Sequence, residues 1–284
     1  MSTRTVTKIV RAQPTSDGAG VRLFRTIGTQ TLDSVDPFLL LDEFKSEQSN
    51  DYLAGFPDHP HRGFETVTYM LAGSMQHKDH NGNEGNLVAG SVQWMTAGRG
   101  IIHSEMPKQD NGLMWGFQLW VNLPAAEKMT APRYQDIPPE NVPELTTTDG
   151  VKIRVVAGEI GEVHGAVQGI VTDPLYLDVH VPPHTNYTLS VQKGHTACCY
   201  VFDGHGQFGA TGTDPGQRIA VQHLALLSDG EELTVKTEDE AVRFLLLAGK
   251  PLREPIARYG PFVMNTREEI IKAVEDYQQG TFLG

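Results

Sequence analysis

Short runs in which apolar and polar residues alternate recur along most of the chain, and they restrict its fold more than any other feature. In the segment 175–181 every second residue is Leu or Val, and Tyr, Asp and His stand between them. Alternation with a period of two predicts strands that bury one face. The runs are short and separated by Gly, Pro, Asn and Asp, which favours β-sandwiches or barrels over alternating strands and helices. The chain is therefore predicted to be all-β in class.

A stretch without periodicity divides the chain into two halves. Residues 138–148 are rich in Pro and Thr, and we predict a linker at 138–150 between domains that span 1–137 and 151–284. A length of 284 residues also suits two domains. One helix is predicted near the end of the second domain, where Thr266 and Glu269 have the spacing of a capping box.

Charge and cysteine content limit the partners and the cellular location that we expect for the protein. Lys and Arg number 23 against 35 Asp and Glu, and the net charge of −12 disfavours direct binding to nucleic acid. No apolar run approaches the roughly 18 residues of a membrane span, and we expect no signal peptide. The only cysteines, Cys198 and Cys199, are adjacent and cannot staple the fold, so we expect a reducing, cytoplasmic location. No self-complementary surface is evident, and a monomer is the default expectation.

Two pairs of potential metal ligands stand out by residue type and spacing. His59 and His61 form one pair, and His103 and Glu105 form the other. Residues i and i+2 of a strand point to the same side, so two such strands facing each other would bring four ligands to one point. Imidazole binds Fe, Ni, Cu and Zn, and four ligands leave positions open on a six-coordinate metal. The alternative is that these histidines are hydrogen-bonded residues of the core or of turns.

The residues around these pairs resemble the two sequence motifs of the cupin superfamily. The matching residues are Gly55, His59, His61, Glu65 and Gly73 for the first motif and Gly90, Gly98 and His103 for the second. The resemblance to the pirin branch of the cupins is closer still and covers nearly the whole chain. The stretches that resemble pirins begin at Phe56 (FPDHPHRGFETVTY), Ala97 (AGRGIIHSEMP), Pro251 (PLREP) and Gly260 (GPFVMNT).

The pirin resemblance implies both a fold and a metal site. The fold would be two tandem cupin-like barrels, each a double-stranded β-helix of the jelly-roll type, with a C-terminal helix. The first barrel would bind one metal, Fe(II), and the second none. The ligands implied are His59, His61, His103 and Glu105. General cupins instead take their carboxylate from the first motif, where Glu65 stands, so Glu65 remains a rival ligand, and the same residues would also accept Ni, Cu or Zn.

The resemblance also implies a reaction. Bacterial pirins resemble quercetin 2,3-dioxygenases, oxidoreductases that open the ring of a flavonol with dioxygen and release carbon monoxide. The substrate would be a small aromatic molecule of the flavonol type, and Glu105 would be the catalytic residue that removes the proton of its 3-hydroxyl. The alternative left open is a non-enzymatic regulator that binds a transcription factor or a metabolic enzyme and signals through the oxidation state of its iron.

Three further side chains near the motifs carry simpler expectations. Arg62 directly follows His61, and we expect it to form a salt bridge rather than to bind substrate. His77 and His80 lie just before a predicted hairpin turn at residues 81–82, and we expect both to be solvated.

Overall fold

The fold is described by a computed structural model that covers residues 2–212 and 214–283, in which the chain forms 25 strands and one α-helix. The strands of the first half are β1 (Val6–Arg11), β2 (Gln13–Asp17), β3 (Val21–Ile27), β4 (Phe38–Ser46), β5 (Phe56–His61), β6 (Phe64–Ala72), β7 (Ser74–Asp79), β8 (Glu84–Val88), β9 (Val92–Thr96), β10 (Ile101–Pro107), β11 (Met114–Asn122) and β12 (Arg133–Ile137). The remaining elements are β13 (Glu144–Thr146), β14 (Lys152–Ala157), β15 (Glu159–Ile160), β16 (Val163–His164), β17 (Leu175–Val181), β18 (Asn186–Ser190), β19 (Thr196–Phe208), β20 (Gln217–Ala220), β21 (His223–Leu227), β22 (Glu232–Lys236), β23 (Val242–Gly249), β24 (Ala257–Tyr259), β25 (Phe262–Met264) and α1 (Arg267–Gln278).

The chain forms two compact units, and neither unit is one continuous stretch of sequence. The N-terminal unit comprises Pro14–Gly28, Pro37–Pro139 and the chain from Leu252 onward. The C-terminal unit comprises the chain up to Gln13, Thr29–Asp36 and Glu140–Pro251. This division differs from the predicted one because pairing between distant strands, and not sequence order, decides which unit a segment joins.

Three segments show this difference. β1 lies in the C-terminal unit because it pairs antiparallel with β21, from Val6 opposite Leu227 to Arg11 opposite His223. Part of the predicted linker is a strand, since β13 pairs with β14. The C-terminal helix, predicted as part of the second domain, belongs to the N-terminal unit.

Two sheets build most of the N-terminal unit. The larger has seven strands in the order β12-β9-β6-β11-β4-β3-β2, and the smaller has four in the order β5-β10-β7-β8. Apolar side chains from both sheets meet in one buried cluster, among them Phe44 and Met70 from the larger sheet and Met75 and Leu87 from the smaller. The two sheets therefore face each other, and residues that alternate along their strands point into the space between them.

The C-terminal unit contains one sheet of ten strands, whose main path runs β1-β21-β19-β23-β17-β14-β13. β17 has its predicted bounds, and its four alternating Leu and Val residues all lie in one buried cluster. Cys198 and Cys199 are fully buried on β19, and burial raises the pKa of Cys198 to about 12. Because the thiolate is the reactive form of cysteine, the Cys198 thiol is inert at neutral pH.

The C-terminal helix begins where its capping box predicted. The Thr266 hydroxyl accepts a hydrogen bond from the backbone N–H of Glu269 at 3.2 Å, and the Glu269 carboxylate accepts one from the backbone N–H of Thr266 at 2.9 Å. Ile270 and Ala273 of the helix are buried in a cluster with Phe262 of β25. None of the helical segments in the described part of the chain has the length and hydropathy of a transmembrane span.

Candidate metal centre

Three histidines converge between β5 and β10, which pair antiparallel in the smaller sheet of the N-terminal unit. The register places His59 opposite His103, and alternation along β5 puts His61 on the same side as His59. The ring centroids are 4.6 Å apart for His59 and His61, 4.5 Å for His59 and His103, and 5.1 Å for His61 and His103. One ligand atom from each ring lies within 4.8 Å of the other two. The strands thus bring three imidazoles to one point.

The cluster fits a metal ion because its imidazoles have nitrogen atoms to offer as ligands, and because burial favours the uncharged form of His61 and His103. Nδ1 of His59 lies 2.8 Å from the carbonyl oxygen of Pro57, which only accepts, so Nδ1 carries a proton and Nε2 is the nitrogen that can bind a metal. Burial lowers the pKa of His61 well below its usual value, and His59 and His103 lower it further. Burial lowers the pKa of His103 in the same way. Both ring nitrogens of His103 are buried without a hydrogen-bond partner among the described residues, and a bound metal would satisfy one of them.

Glu105 lies on β10 beyond His103 and is 1% exposed. Its carboxylate accepts two hydrogen bonds from the larger sheet, one at Oε1 from the Thr68 hydroxyl and one at Oε2 from the Gln118 side-chain amide, each at 2.9 Å. The group of side chains within 4.8 Å of one another contains the three histidines and not Glu105. Glu105 therefore points into the space between the two sheets, where the larger sheet holds it.

Glu65 lies on the other side of the larger sheet. It stands three residues before Thr68 on β6, so alternation points its side chain away from the face that contacts Glu105. Its carboxylate accepts a hydrogen bond at 2.6 Å from the hydroxyl of Thr96, its neighbour on β9. Burial raises the pKa of Glu65. Its position separates it from the His59, His61 and His103 cluster.

A cavity of 530 Å³ opens beside the histidines, and its wall includes His59 and His61. Phe56 and Trp120 contribute aromatic surface to it, and Gln118 contributes an amide. The Trp120 ring stands edge-on to His61, with centroids 5.3 Å apart. This volume falls within the range of about 300–1,000 Å³ that is usual for small-molecule sites. An aromatic molecule in the cavity would therefore lie against the histidine cluster.

Comparison with known proteins places this site in a family. A sequence profile described as Pirin matches residues 20–121, and one described as the Pirin C-terminal cupin domain matches residues 176–283. The chain belongs to the pirin family. Its predicted architecture, two cupin domains with a C-terminal helix, is confirmed.

Individual pirins are similar over almost their whole length. A pirin-like protein of Caulobacter vibrioides is 48% identical over 284 residues, which cover 99% of this chain and 100% of that protein. Human pirin is 43% identical over 279 residues, which cover 98% of this chain and 93% of human pirin. A crystal structure named quercetin 2,3-dioxygenase from Acinetobacter baumannii is 34% identical, covers 99% of both chains and has a TM-score of 0.89.

Arg62 of this pirin anchors the C-terminal segment next to the histidines. Its guanidinium is 2.8 Å from the Asp276 carboxylate and donates a hydrogen bond at 2.9 Å to the carbonyl of Phe282, whose ring it covers at 4.3 Å. The predicted salt bridge is confirmed. Its partner lies 214 residues away, so the sequence did not show which carboxylate would form it. Gly63 follows with φ at +87°, where a Cβ would lie 2.0 Å from the Val263 carbonyl oxygen, so only glycine lets the two segments approach.

His77 is a functional candidate that the sequence analysis missed. We predicted a solvated side chain, yet His77 is 1% exposed, because alternation along β7 points it between the two sheets. Its Nε2 lies 3.1 Å from the Asp136 carboxylate, and it stands opposite Glu105 in the register of β7 and β10. His80 is exposed, as predicted. The turn signal located both residues but did not show which one faces inward.

The histidines of the C-terminal unit are dispersed. His195 is buried with Nε2 3.6 Å from the Asp173 carboxylate, whereas the side chain of His184 is exposed. Across residues 2–212 and 214–283, His59, His61 and His103 are the only metal-ligating side chains that come together in a group of three or more. The candidate metal centre of this pirin therefore lies in its N-terminal unit.

Proposed function

We propose that this pirin is a metal-dependent oxidoreductase that cleaves flavonols such as quercetin with dioxygen. The observation that carries the proposal is the cluster of three imidazoles, of which His59 and His61 line a 530 Å³ cavity with aromatic sides. The 34% identical structure from Acinetobacter baumannii, which is named quercetin 2,3-dioxygenase, supports the choice of substrate.

The metal would be held by His59, His61 and His103, and Glu105 is proposed as the fourth ligand. We propose Fe(II) as the ion, since imidazole nitrogens with one carboxylate suit this metal among others. When bound, it supplies a Lewis acid and a redox-active centre for chemistry with dioxygen. The protein contributes the rigid strands β5 and β10, whose pairing fixes the three rings relative to one another.

Glu105 is also the proposed acceptor of the substrate proton. Each of its oxygens accepts one hydrogen bond, and a carboxylate offers about four lone-pair sites, so both oxygens can accept one more. Removal of the 3-hydroxyl proton leaves an electron-rich oxygen on the flavonol, which makes the adjoining ring carbon easier to oxidise. Base assistance of this kind contributes about 10²–10⁴ in rate.

The cavity wall orients the substrate. Phe56 and Trp120 line the cavity with aromatic surface, and the Arg258 guanidinium lies over the Trp120 ring at 4.8 Å. A flat aromatic molecule gains contact area against such walls, and its polar edge can reach the histidines.

Turnover of quercetin by the iron-loaded protein tests the proposal. The protein is loaded with Fe(II), mixed with quercetin in oxygenated buffer, and followed by flavonol absorption, oxygen uptake and release of carbon monoxide. We expect the absorption to fall while oxygen is consumed and carbon monoxide appears in equal amounts. The His103→Ala variant, which lacks one ligand, is the matched control and should leave the flavonol unchanged.

One result overturns the proposal. If the loaded protein binds iron at one ion per chain but leaves the flavonol absorption and the oxygen concentration unchanged, it is not a flavonol dioxygenase. The non-enzymatic regulator would then be the better description of this pirin.

A further inference from the structure

A row of polar residues crosses the inner face of the larger sheet of the N-terminal unit. Neighbouring strands place them side by side in the register, in the order Arg25, Asp42, Gln118, Thr68, Gln93 and Asp136. Only the two residues at the centre of the row, Gln118 and Thr68, donate hydrogen bonds to Glu105. The outer members bond within the row, Arg25 to Asp42 and Gln93 to Asp136. The row therefore has one place at which it contacts the proposed metal ligand.

The side-chain amide of Gln118 has a single favourable orientation. Its NH₂ group donates to Oε2 of Glu105 at 2.9 Å, and its oxygen accepts from the indole N–H of Trp120 at 3.2 Å. A flipped amide would place its oxygen against the carboxylate and its NH₂ group against the indole N–H. The first contact would then join two acceptors and the second would join two donors, so neither could be a hydrogen bond. Trp120 thus decides which end of the Gln118 amide faces Glu105.

Trp120 is itself held on three sides. Its ring lies 4.4 Å from the Phe64 ring and 5.3 Å from the His61 ring, centroid to centroid, and the Arg258 guanidinium covers it at 4.8 Å. Only 8% of Trp120 is exposed. The indole N–H is therefore a fixed donor, and the orientation it imposes on Gln118 does not depend on a mobile group.

We propose that Gln118 is a positioning residue that fixes the carboxylate of Glu105, and that Trp120 acts through Gln118 to the same end. The inference rests on the proposed function in one respect, the role of Glu105 at the metal. A glutamate side chain has three rotatable bonds, and its ordering has an entropic cost. With Gln118 in place, the Glu105 carboxylate is already ordered before metal and substrate bind, so binding does not have to order it. Without it, only Thr68 restrains the carboxylate.

The expected size of the effect follows from the behaviour of groups that hold metal ligands. Loss of a hydrogen-bond partner behind a ligand typically weakens metal affinity or activity about 10–100-fold. Gln118→Met removes both hydrogen bonds of the amide at nearly constant side-chain volume. Trp120→Phe removes the donor that orients Gln118 but keeps an aromatic ring at this position, so its effect should have the same sign and a smaller size. Gln93→Met is the matched control, because Gln93 lies in the same row and donates to Asp136 instead.

The test measures metal affinity first and turnover second. Each purified variant is titrated with Ni²⁺ in competition with a chelating indicator, and its fold is checked by circular dichroism and thermal unfolding. We expect Gln118→Met to lower Ni²⁺ affinity about 10–100-fold, Trp120→Phe to lower it less, and Gln93→Met to match wild type. With iron and quercetin, Gln118→Met should lower kcat and leave KM nearly unchanged.

Three results would overturn the inference. Unchanged Ni²⁺ affinity in both Gln118→Met and Trp120→Phe would show that Glu105 needs no such restraint. A rise in KM with unchanged Ni²⁺ affinity would show that Gln118 contacts substrate and does not position Glu105. An equal loss of Ni²⁺ affinity in Gln93→Met would show that any substitution in the row weakens metal binding, and that the contact of Gln118 with Glu105 has no special role. If wild type fails to turn over quercetin but the Ni²⁺ series is as expected, the proposed function fails and the positioning role stands.

Discussion

The ion pair between Arg62 and Asp276 should contribute measurably to the stability of the N-terminal unit. Arg62 is 4% exposed, and its guanidinium donates to Asp276 and to the backbone carbonyls of Arg99 and Phe282. Asp276→Asn keeps the shape of the side chain and an oxygen acceptor but removes the negative charge. Hydrogen bonds to charged groups contribute about 1.5–3 kcal/mol. Because the two carbonyls remain as partners for Arg62, we expect a loss near the lower end of that range.

A second partner of Asp276 supplies the control. Lys272 contacts the other carboxylate oxygen at 2.9 Å, four residues earlier on the helix, and its side chain is 73% exposed. Exposed pairs of this spacing contribute about 0.3–0.5 kcal/mol. Lys272→Met should therefore cost much less than Asp276→Asn, although both changes affect the same carboxylate.

The assay can report on the N-terminal unit alone. All three tryptophans of the chain, Trp94, Trp115 and Trp120, lie within Pro37–Pro139. Urea unfolding followed by tryptophan fluorescence thus measures the free energy of unfolding of this unit, whereas a whole-protein signal would mix two transitions. Equal losses of that free energy in Asp276→Asn and Lys272→Met would show that the ion pair with Arg62 contributes no more than the exposed pair with Lys272.

The difference in free energy of unfolding between wild type and Asp276→Asn should depend on pH in one direction only. Hydrogen bonds from Arg62 and then Lys272 lower the pKa of Asp276 below its ordinary 3.8. A carboxyl group with a lowered pKa in the folded state stabilises the fold above its unfolded pKa, and the contribution is lost as pH falls through the folded value. The difference between wild type and Asp276→Asn should therefore be constant from neutral pH down to about pH 4 and shrink at lower pH.

Three further outcomes are expected. His103→Ala should lose most of its bound metal but keep its thermal unfolding transition, since a core of this size does not depend on one ion; full metal content in the variant would remove His103 from the ligand set. Glu105→Gln should keep partial metal and lose quercetin turnover by about 10²–10⁴, whereas Glu65→Gln keeps most of both; metal analysis showing the reverse would assign the site to the general cupin pattern. Burial lowers the pKa of Lys128 from 10.5 to about 8, so the unfolded chain binds its proton more tightly, and the contribution of Lys128 to the free energy of unfolding should rise between pH 8 and 10.5 by up to about 3 kcal/mol. Lys128→Met should lack this rise, and a parallel pH profile in the two proteins would contradict the assignment.

Local patterns were enough to find the histidine cluster. A period of two makes His59 and His61 point the same way without any knowledge of the fold. The strand β17 and the capping box at Thr266 are local in the same sense, and both are where the sequence placed them. The family motifs added the prediction that the chain contains two cupin domains.

The contacts that hold the site were not predictable because they join distant strands. Gln118 reaches Glu105 across the space between two sheets, and no spacing within one strand encodes that meeting. The same limit explains why the partner of Arg62 and the burial of His77 escaped prediction. Parity along β6 could have separated Glu65 from the site only once Thr68 was known to contact Glu105.

The discontinuous make-up of the N-terminal unit has a consequence for its biosynthesis. The ribosome makes His59, His61 and His103 early, but the segment that holds Arg62 is at the far end of this sequence, beyond Leu252. A nascent chain that stops near residue 139 carries all three imidazoles and the Arg99 carbonyl but lacks two acceptors of the Arg62 guanidinium, Asp276 and the Phe282 carbonyl. The contacts of Arg62 with Asp276 and Phe282 can therefore form only after these two residues have been translated. A protein fragment that ends between the two halves would contain the three histidines but not the C-terminal segment that Arg62 binds.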